Sequence, residues 1–250
     1  MKIKHILLIL LVASKLSISA QDEVNDTIDP TTLHIWNPKK EFHYRAFYID
    51  VNGDTLTNEK IILKPMGKSA PVAYGEPQII LNFRYNYTEQ DSIRFFNEPI
   101  YQTRYTRKKV NQYWRKTVPE GAIENDRKLW MHPFRMNQYV LTEVSPFPEI
   151  NLPAKTGKKW ATFLFVKKVF GKFKGIHKQY YEITGESKKT YPFAESITCL
   201  QVTATSKHRK LGESKAIIFY NQDYGFTEIN NTFYNGQKIN FILEKVIATD

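Results

Sequence analysis

The chain has 250 residues, with 36 lysines and arginines against 25 acids and a formal net charge of +11. That length can bury a substantial core, and the lone Cys199 excludes an internal disulfide, so stability must come from packing. The charge bears on partners and favours anionic ones: lipid head groups, acidic glycans or nucleic acid.

Lys2, Lys4 and His5 form a positive start, followed by the apolar run Ile6–Ala13 and by Ile18-Ser19-Ala20 before Gln21. This three-part layout predicts a cleavable secretory signal over residues 1–20. The apolar run is far shorter than the roughly 20 residues of a membrane helix. No cysteine stands near the cleavage site to carry a lipid anchor, and no second long apolar run follows, so no transmembrane segment is expected after cleavage. The leader takes three lysines (Lys2, Lys4 and Lys15) with it, leaving +8 on residues 21–250. The expected location is periplasmic or extracellular, and export argues against nucleic acid as the physiological partner.

Residues 21–40 read as a flexible lead-in, opened by Asp22, Glu23, Asp26 and Asp29. From Glu41 the pattern has period two: Phe42, Tyr44, Ala46 and Tyr48 alternate with His43, Arg45 and Phe47. Asn52-Gly53 then marks a hairpin, with a returning strand over Thr55–Leu63. Phe83, Tyr85 and Tyr87 give another half-buried strand. Thr106–Thr117 is the one helix candidate, with Val110, Tyr113 and Trp114 on one face and Pro119 as its stop. Val144–Pro153 holds three prolines and cannot be a central strand. It reads as a rigid crossing inside one domain, with a lobe boundary near 118–153 as the alternative.

Further turn signals separate the runs Trp160–Phe170, Tyr180–Thr184, Ala216–Tyr220, Phe226–Ile229 and Ile239–Ile247. Cys199 lies in the strand candidate Ser196–Val202 and reads as a small buried apolar residue. Gly-Glu-Ser-Lys occurs at 185–188 and 212–215, read as two similar turns.

Local motifs for chemistry fail on inspection. Gly67-Lys68-Ser69 lacks the earlier glycine of a phosphate loop, where Ile62 stands instead. Asp50, Asn52 and Asp54 have calcium-loop spacing, but Thr55 and Ile61 occupy the required Gly and Glu places. The histidines of residues 21–250 form no metal-binding spacing, and no serine sits in a nucleophile-elbow frame. No metal and no cofactor is expected.

Three groups remain as candidate binding residues. Trp130, His132 and Arg135 are crowded into Leu129–Arg135 and could line a pocket, or serve a turn at Pro133 with Trp130 and Phe134 in the core. Arg107, Lys108, Lys109 and Arg115 lie in a basic stretch interleaved with Tyr101, Tyr105, Tyr113 and Trp114. Lys172, Phe173 and Lys174 form a basic tip in a region without acids from Ile150 to Tyr181. Basic residues beside aromatics suit anionic surfaces, although such charge also serves solubility and blunts edge strands.

The runs LWMHPFR (129–135), YVLTEVSPFPEINLP (139–153) and GKKW (157–160) resemble a pattern in uncharacterised exported β-rich proteins of Bacteroidota. The closing YGFTEINNTFYNGQKINFIL (224–243) is similar to the ends of periplasmic proteins from the same bacteria. There a Tyr-Gly-Phe strand is followed by a hairpin and a last apolar strand. The resemblance covers about half of the exported chain, residues 129–243. It implies compartment and β fold, and no activity.

The fold expected is mostly β: a single domain over 41–250, built as an antiparallel curved sheet or half-open barrel or sandwich with one or two short helices at most. Such a sheet can hold a ligand in its concave face. The leading functional expectation is a noncatalytic envelope protein that binds a hydrophobic or amphiphilic ligand, or an envelope component such as lipid. The alternatives are a hydrolase using His132 and Arg135, or a basic surface adaptor for anionic lipid or glycan.

Overall fold

The computed structural model describes residues 28–29, 32–70, 76–96 and 114–249. The signal region 1–20 and most of the expected helix, residues 106–113, lie outside these, and Thr117 at the end of that expected helix opens a strand instead. The helix that is present spans Glu89–Phe96 (α1), where Thr88 and Asp91 cap each other through backbone N–H donors at 3.1 and 2.8 Å.

Twelve strands form one antiparallel sheet: β1 (Lys40–Ile49), β2 (Thr55–Ala70), β3 (Gln78–Tyr85), β4 (Thr117–Glu124), β5 (Lys128–Met131), β6 (Glu149–Asn151), β7 (Lys159–Val166), β8 (Gly175–Tyr191), β9 (Ala194–His208), β10 (Gly212–Asn221), β11 (Gly225–Thr232) and β12 (Lys238–Ala248). Their order is 6-5-4-3-2-1-12-11-10-9-8-7. The first and last strands pair from Lys40↔Ala248 to Ile49↔Lys238. The result is a nearly closed barrel whose seam lies between β6 and β7.

Alternation builds it. Phe42, Tyr44, Ala46 and Tyr48 on β1 are fully buried, while the residues between them are half-buried. Ile61 and Leu63 on β2, Leu81 and Phe83 on β3, and Phe241 and Leu243 on β12 continue the same inner face. The turns fall where Asn-Gly signals stand. Gly53 sits at φ +96° between β1 and β2, where a side chain would be strained, and the Asp50 carboxylate accepts the Asn52 and Asp54 N–H groups. Gly225 (φ +73°) opens β11 and lets Ile35 pack close; a Cβ there would lie 2.7 Å from the Ile35 methyl.

That contact corrects one expectation. The end of the lead-in is not flexible: Leu33, Ile35 and Trp36 are buried in the main core. The Glu124 carboxylate on β4 holds this segment, accepting the N–H groups of His34, Ile35 and Trp36 at 2.7 Å each. A second correction concerns the Gly-Glu-Ser-Lys pair. Gly212 begins β10 after a turn, but Gly185 lies inside β8 at a register shift. Beyond it the β8–β9 hairpin reaches across β10 to β11, and the Tyr191 hydroxyl donates to Glu228 at 2.8 Å. Tyr191, Cys199 and Phe219 form a small second core there, and burial pushes the Cys199 thiol up.

The stretch between β5 and β6 decides what the barrel can hold. It runs through a 3-10 helix, Asn137–Val144, and every residue from Leu141 to Ile150 is buried. Buried irregular backbone must find partners. Here Tyr139 N–H donates to Met136 O and Ser145 N–H to Thr142 O, at 3.1 Å each. Gln179 on β8 donates to Ser145 O at 3.1 Å, and the Tyr181 hydroxyl donates to Phe147 O at 3.1 Å. Phe134 packs on Tyr44, Phe83 and Phe241 with ring centres 5.1, 4.8 and 4.9 Å away. Tyr139 packs on Tyr85 and Phe241 and donates to the Glu59 carboxyl at 2.9 Å. Burial, then the neighbouring Asp91 carboxyl, raise Glu59 to about 8. The segment thus crosses the inner face from β3 to β8. Val144–Pro153 is a crossing as its prolines require, and its only strand, β6, lies at the sheet edge.

Candidate functional site

The structure brings together part of the first candidate group. Trp130 on β5 pairs with Ile123 on one side and Glu149 on the other, on the face opposite buried Leu129 and Met131. Its ring meets His132 edge-on at 4.8 Å, and both lie beside Phe147. Burial, with the Arg135 charge second, lowers His132 to about 3. A neutral imidazole of such low basicity is a poor proton acceptor near neutral pH.

Arg135 is engaged elsewhere. Its Nε and Nη2 donate to the two oxygens of Glu120 at 3.0 and 2.8 Å, and Nη1 donates to Glu143 at 2.9 Å. Both carboxylates are nearly inaccessible. Burial raises Glu143, and the guanidinium pulls it back down. This buried triad ties β4 to the crossing segment. Three of the five N–H donors of Arg135 are thus spent on holding the fold together.

The basic groups separate as well. Arg107, Lys108 and Lys109 lie outside the described residues, and Arg115 is exposed just before β4. Lys172 and Lys174 are exposed, as expected of a tip. Phe173 is not: it ends a second 3-10 helix, Lys168–Phe173, and is fully buried in the main core, with its carbonyl bonded to His177 Nε2 at 2.9 Å. It cannot touch a surface, because the helix turns that ring inward and leaves the lysines outside. Lys172 Nζ stands 5.8 Å from the ring centre.

The exposed aromatics are other residues. On β7, Trp160, Thr162 and Leu164 face inward, and Thr162 contacts buried Gln179 at 3.4 Å. Ala161, Phe163 and Phe165 therefore face outward. Register places Phe165 opposite Ile176, Phe163 opposite Lys178 and Ala161 opposite Tyr180. Phe163 is 74% exposed, Phe165 66%, Ile176 56% and Tyr180 44%. Exposed Lys178 stands among them, exposed Lys167, Lys172 and Lys174 lie at the β7–β8 connection, and Lys207 on β9 extends the Phe163–Lys178 row. Two acids on the neighbouring strands are paired: Glu182 with Lys159 at 3.3 Å and Glu213 with Lys207 at 3.2 Å. A trough of about 500 Å³ beside the patch is lined by Trp160, Tyr180, Tyr181, Glu182, Thr203 and Thr205. The run Trp160–Phe170 signals a strand in the sequence, but an unbroken apolar run does not say which face meets water.

Among the described residues no cluster of His, Cys, Asp and Glu could hold a metal ion, and no helix is long and apolar enough to cross a membrane. No protein-family model and no curated protein sequence matches the chain. Among solved structures, a protein described as exported, with a YmcC-like fold, from Bacteroides fragilis superposes with TM-score 0.46 at 9% identity, covering 85% of this chain and 97% of that one. One described as a lipoprotein, from Parabacteroides distasonis, gives 0.47 at 10%, covering 85% and 96%. The hypothetical lipoprotein YmcC of Escherichia coli gives 0.35 at 8%, covering 85% and 89%. Superpositions this loose, at such identities, transfer no residue role.

Proposed function

We propose that the chain is a noncatalytic exported envelope protein that binds an anionic envelope component through its outer surface. The observation that carries this is the β7–β8 face, where exposed aromatics share one end with four exposed lysines and where Glu182 and Glu213 are already paired. Export rests on the leader pattern of residues 1–20. The crossing of the inner face by the β5–β6 segment weighs against a ligand held inside the barrel, and the low basicity of His132 weighs against the hydrolase reading.

Charge reversal tests it. A lysine near an anionic surface contributes about 1 kcal/mol. The triple variant Lys172→Glu, Lys174→Glu, Lys178→Glu should bind the soluble polyanion dextran sulfate on the order of 100-fold more weakly at low salt. Wild-type binding should itself weaken as salt rises. Equal affinity for the two proteins, or binding indifferent to salt, contradicts the proposal.

A further inference from the structure

We infer that the anionic component is a phospholipid bilayer, docked on the outer face of β7 and β8 with Phe163 and Phe165 as its apolar anchors. The inference rests on the proposed anionic-component reading and narrows it. Lysines alone would suit any polyanion, a soluble acidic glycan included. The rings make the difference. Phe163 and Phe165 stand two residues apart on one strand, so they project from the same face, and Ile176 extends that face at the cross-strand position.

Scattered apolar residues on a surface need no explanation, but these adjoin one another and are among the most exposed large apolar side chains described. A polysaccharide can stack a sugar ring on one phenyl face, but it does not cover a contiguous apolar strip that includes Ile176. The boundary between head groups and acyl chains does, because it removes apolar surface from water while lysines meet the phosphates. Lys178 stands directly across from Phe163, and Lys167, Lys172 and Lys174 sit at the β7–β8 connection beyond Phe165 and Ile176. Charge and apolar surface thus share one end of one face. Tyr180, exposed beside them, carries an amphipathic ring of the kind that settles at head-group depth. β7 is an end strand of the sheet, at the seam of the barrel.

Sedimentation with vesicles tests the docking, using the full chain with phosphatidylglycerol–phosphatidylcholine vesicles, pure phosphatidylcholine vesicles and, in parallel, dextran sulfate. Wild-type protein should sediment with the mixed vesicles and much less with the neutral ones. The double variant Phe163→Ser, Phe165→Ser should lose on the order of 100-fold in vesicle partitioning, about tenfold per ring, while its dextran sulfate binding stays unchanged. Both rings are exposed, so its thermal midpoint should match the wild type and exclude misfolding as the cause. A single Phe163→Trp variant should gain fluorescence that brominated acyl chains quench.

Undiminished vesicle binding by the double variant overturns the inference. So does wild-type protein that binds dextran sulfate and ignores both vesicles, a result that leaves the anionic-component reading standing. Failure to bind either probe removes both.

Discussion

Replacing Arg135 with alanine should cost the protein about 3 kcal/mol of stability, seen as a lower urea midpoint near neutral pH. The guanidinium makes three hydrogen bonds to Glu120 and Glu143, whose side chains are each only 6% exposed. Removing it strands two carboxylates in a site where water reaches them poorly. A buried ion pair adds little net stability as a unit, but breaking one from a single side is costly. The sign of the pH effect follows. Burial already holds Glu143 above the usual carboxylate range, and loss of Arg135 removes the main force lowering it. The folded variant then binds a proton more tightly than the unfolded chain does, so its stability falls as pH rises through that raised value. The deficit relative to wild type should therefore shrink on going from pH 7 towards pH 5. Arg135→Lys keeps the charge without the fork that grips Glu120 at both oxygens, and should lose less than alanine.

Phe134→Ala should cost about 4 kcal/mol and lower the thermal midpoint by about 10 °C. The ring is fully buried among Tyr44 on β1, Phe83 on β3 and Phe241 on β12. These neighbours sit on strands fixed by their own hydrogen bonds, so they cannot collapse far into the space left behind. A dry apolar hole remains, and such holes take up benzene-sized molecules. The variant should gain stability on adding benzene, and the wild type should not. A variant of unchanged stability would mean that Phe134 does not brace the inner face.

Much of the barrel was legible in the sequence, because period-two patterning and Asn-Gly turns are local signals. Phe42 to Tyr48 announces its inner face directly, and Asn52-Gly53 and Asn235-Gly236 set two of the hairpins. The rest depends on partners far along the chain. Strand order hangs on the pairing of β1 with β12, which no local pattern encodes. Asn137–Val144 has no amphipathic stripe because a buried 3-10 segment touches neighbours on all sides. Trp36 looked like part of a polar lead-in, since its partner, the Glu124 carboxylate, lies 88 residues away and holds its N–H.

The candidate surface was half visible. Composition marked the lysines around 172–178, but it nominated Phe173, which faces inward, and passed over Phe163 and Phe165, which face outward. An apolar run reads as buried until an edge strand is known to carry it. Trp130, His132 and Arg135 drew notice as unusual residues crowded together, yet the fold assigns the first two to an aromatic cluster and the third to a buried triad.

The barrel's concave face is crossed by residues 133–148 of the chain itself, which leaves binding to the outside. Native mass spectrometry checks this on the exported protein, residues 21–250, purified from an envelope fraction in high salt and without detergent. High salt releases molecules held by surface lysines and spares any held inside. The bare polypeptide mass is the expected result. A reproducible excess mass that survives the salt and leaves only on organic extraction would contradict it and show that the barrel carries a ligand within.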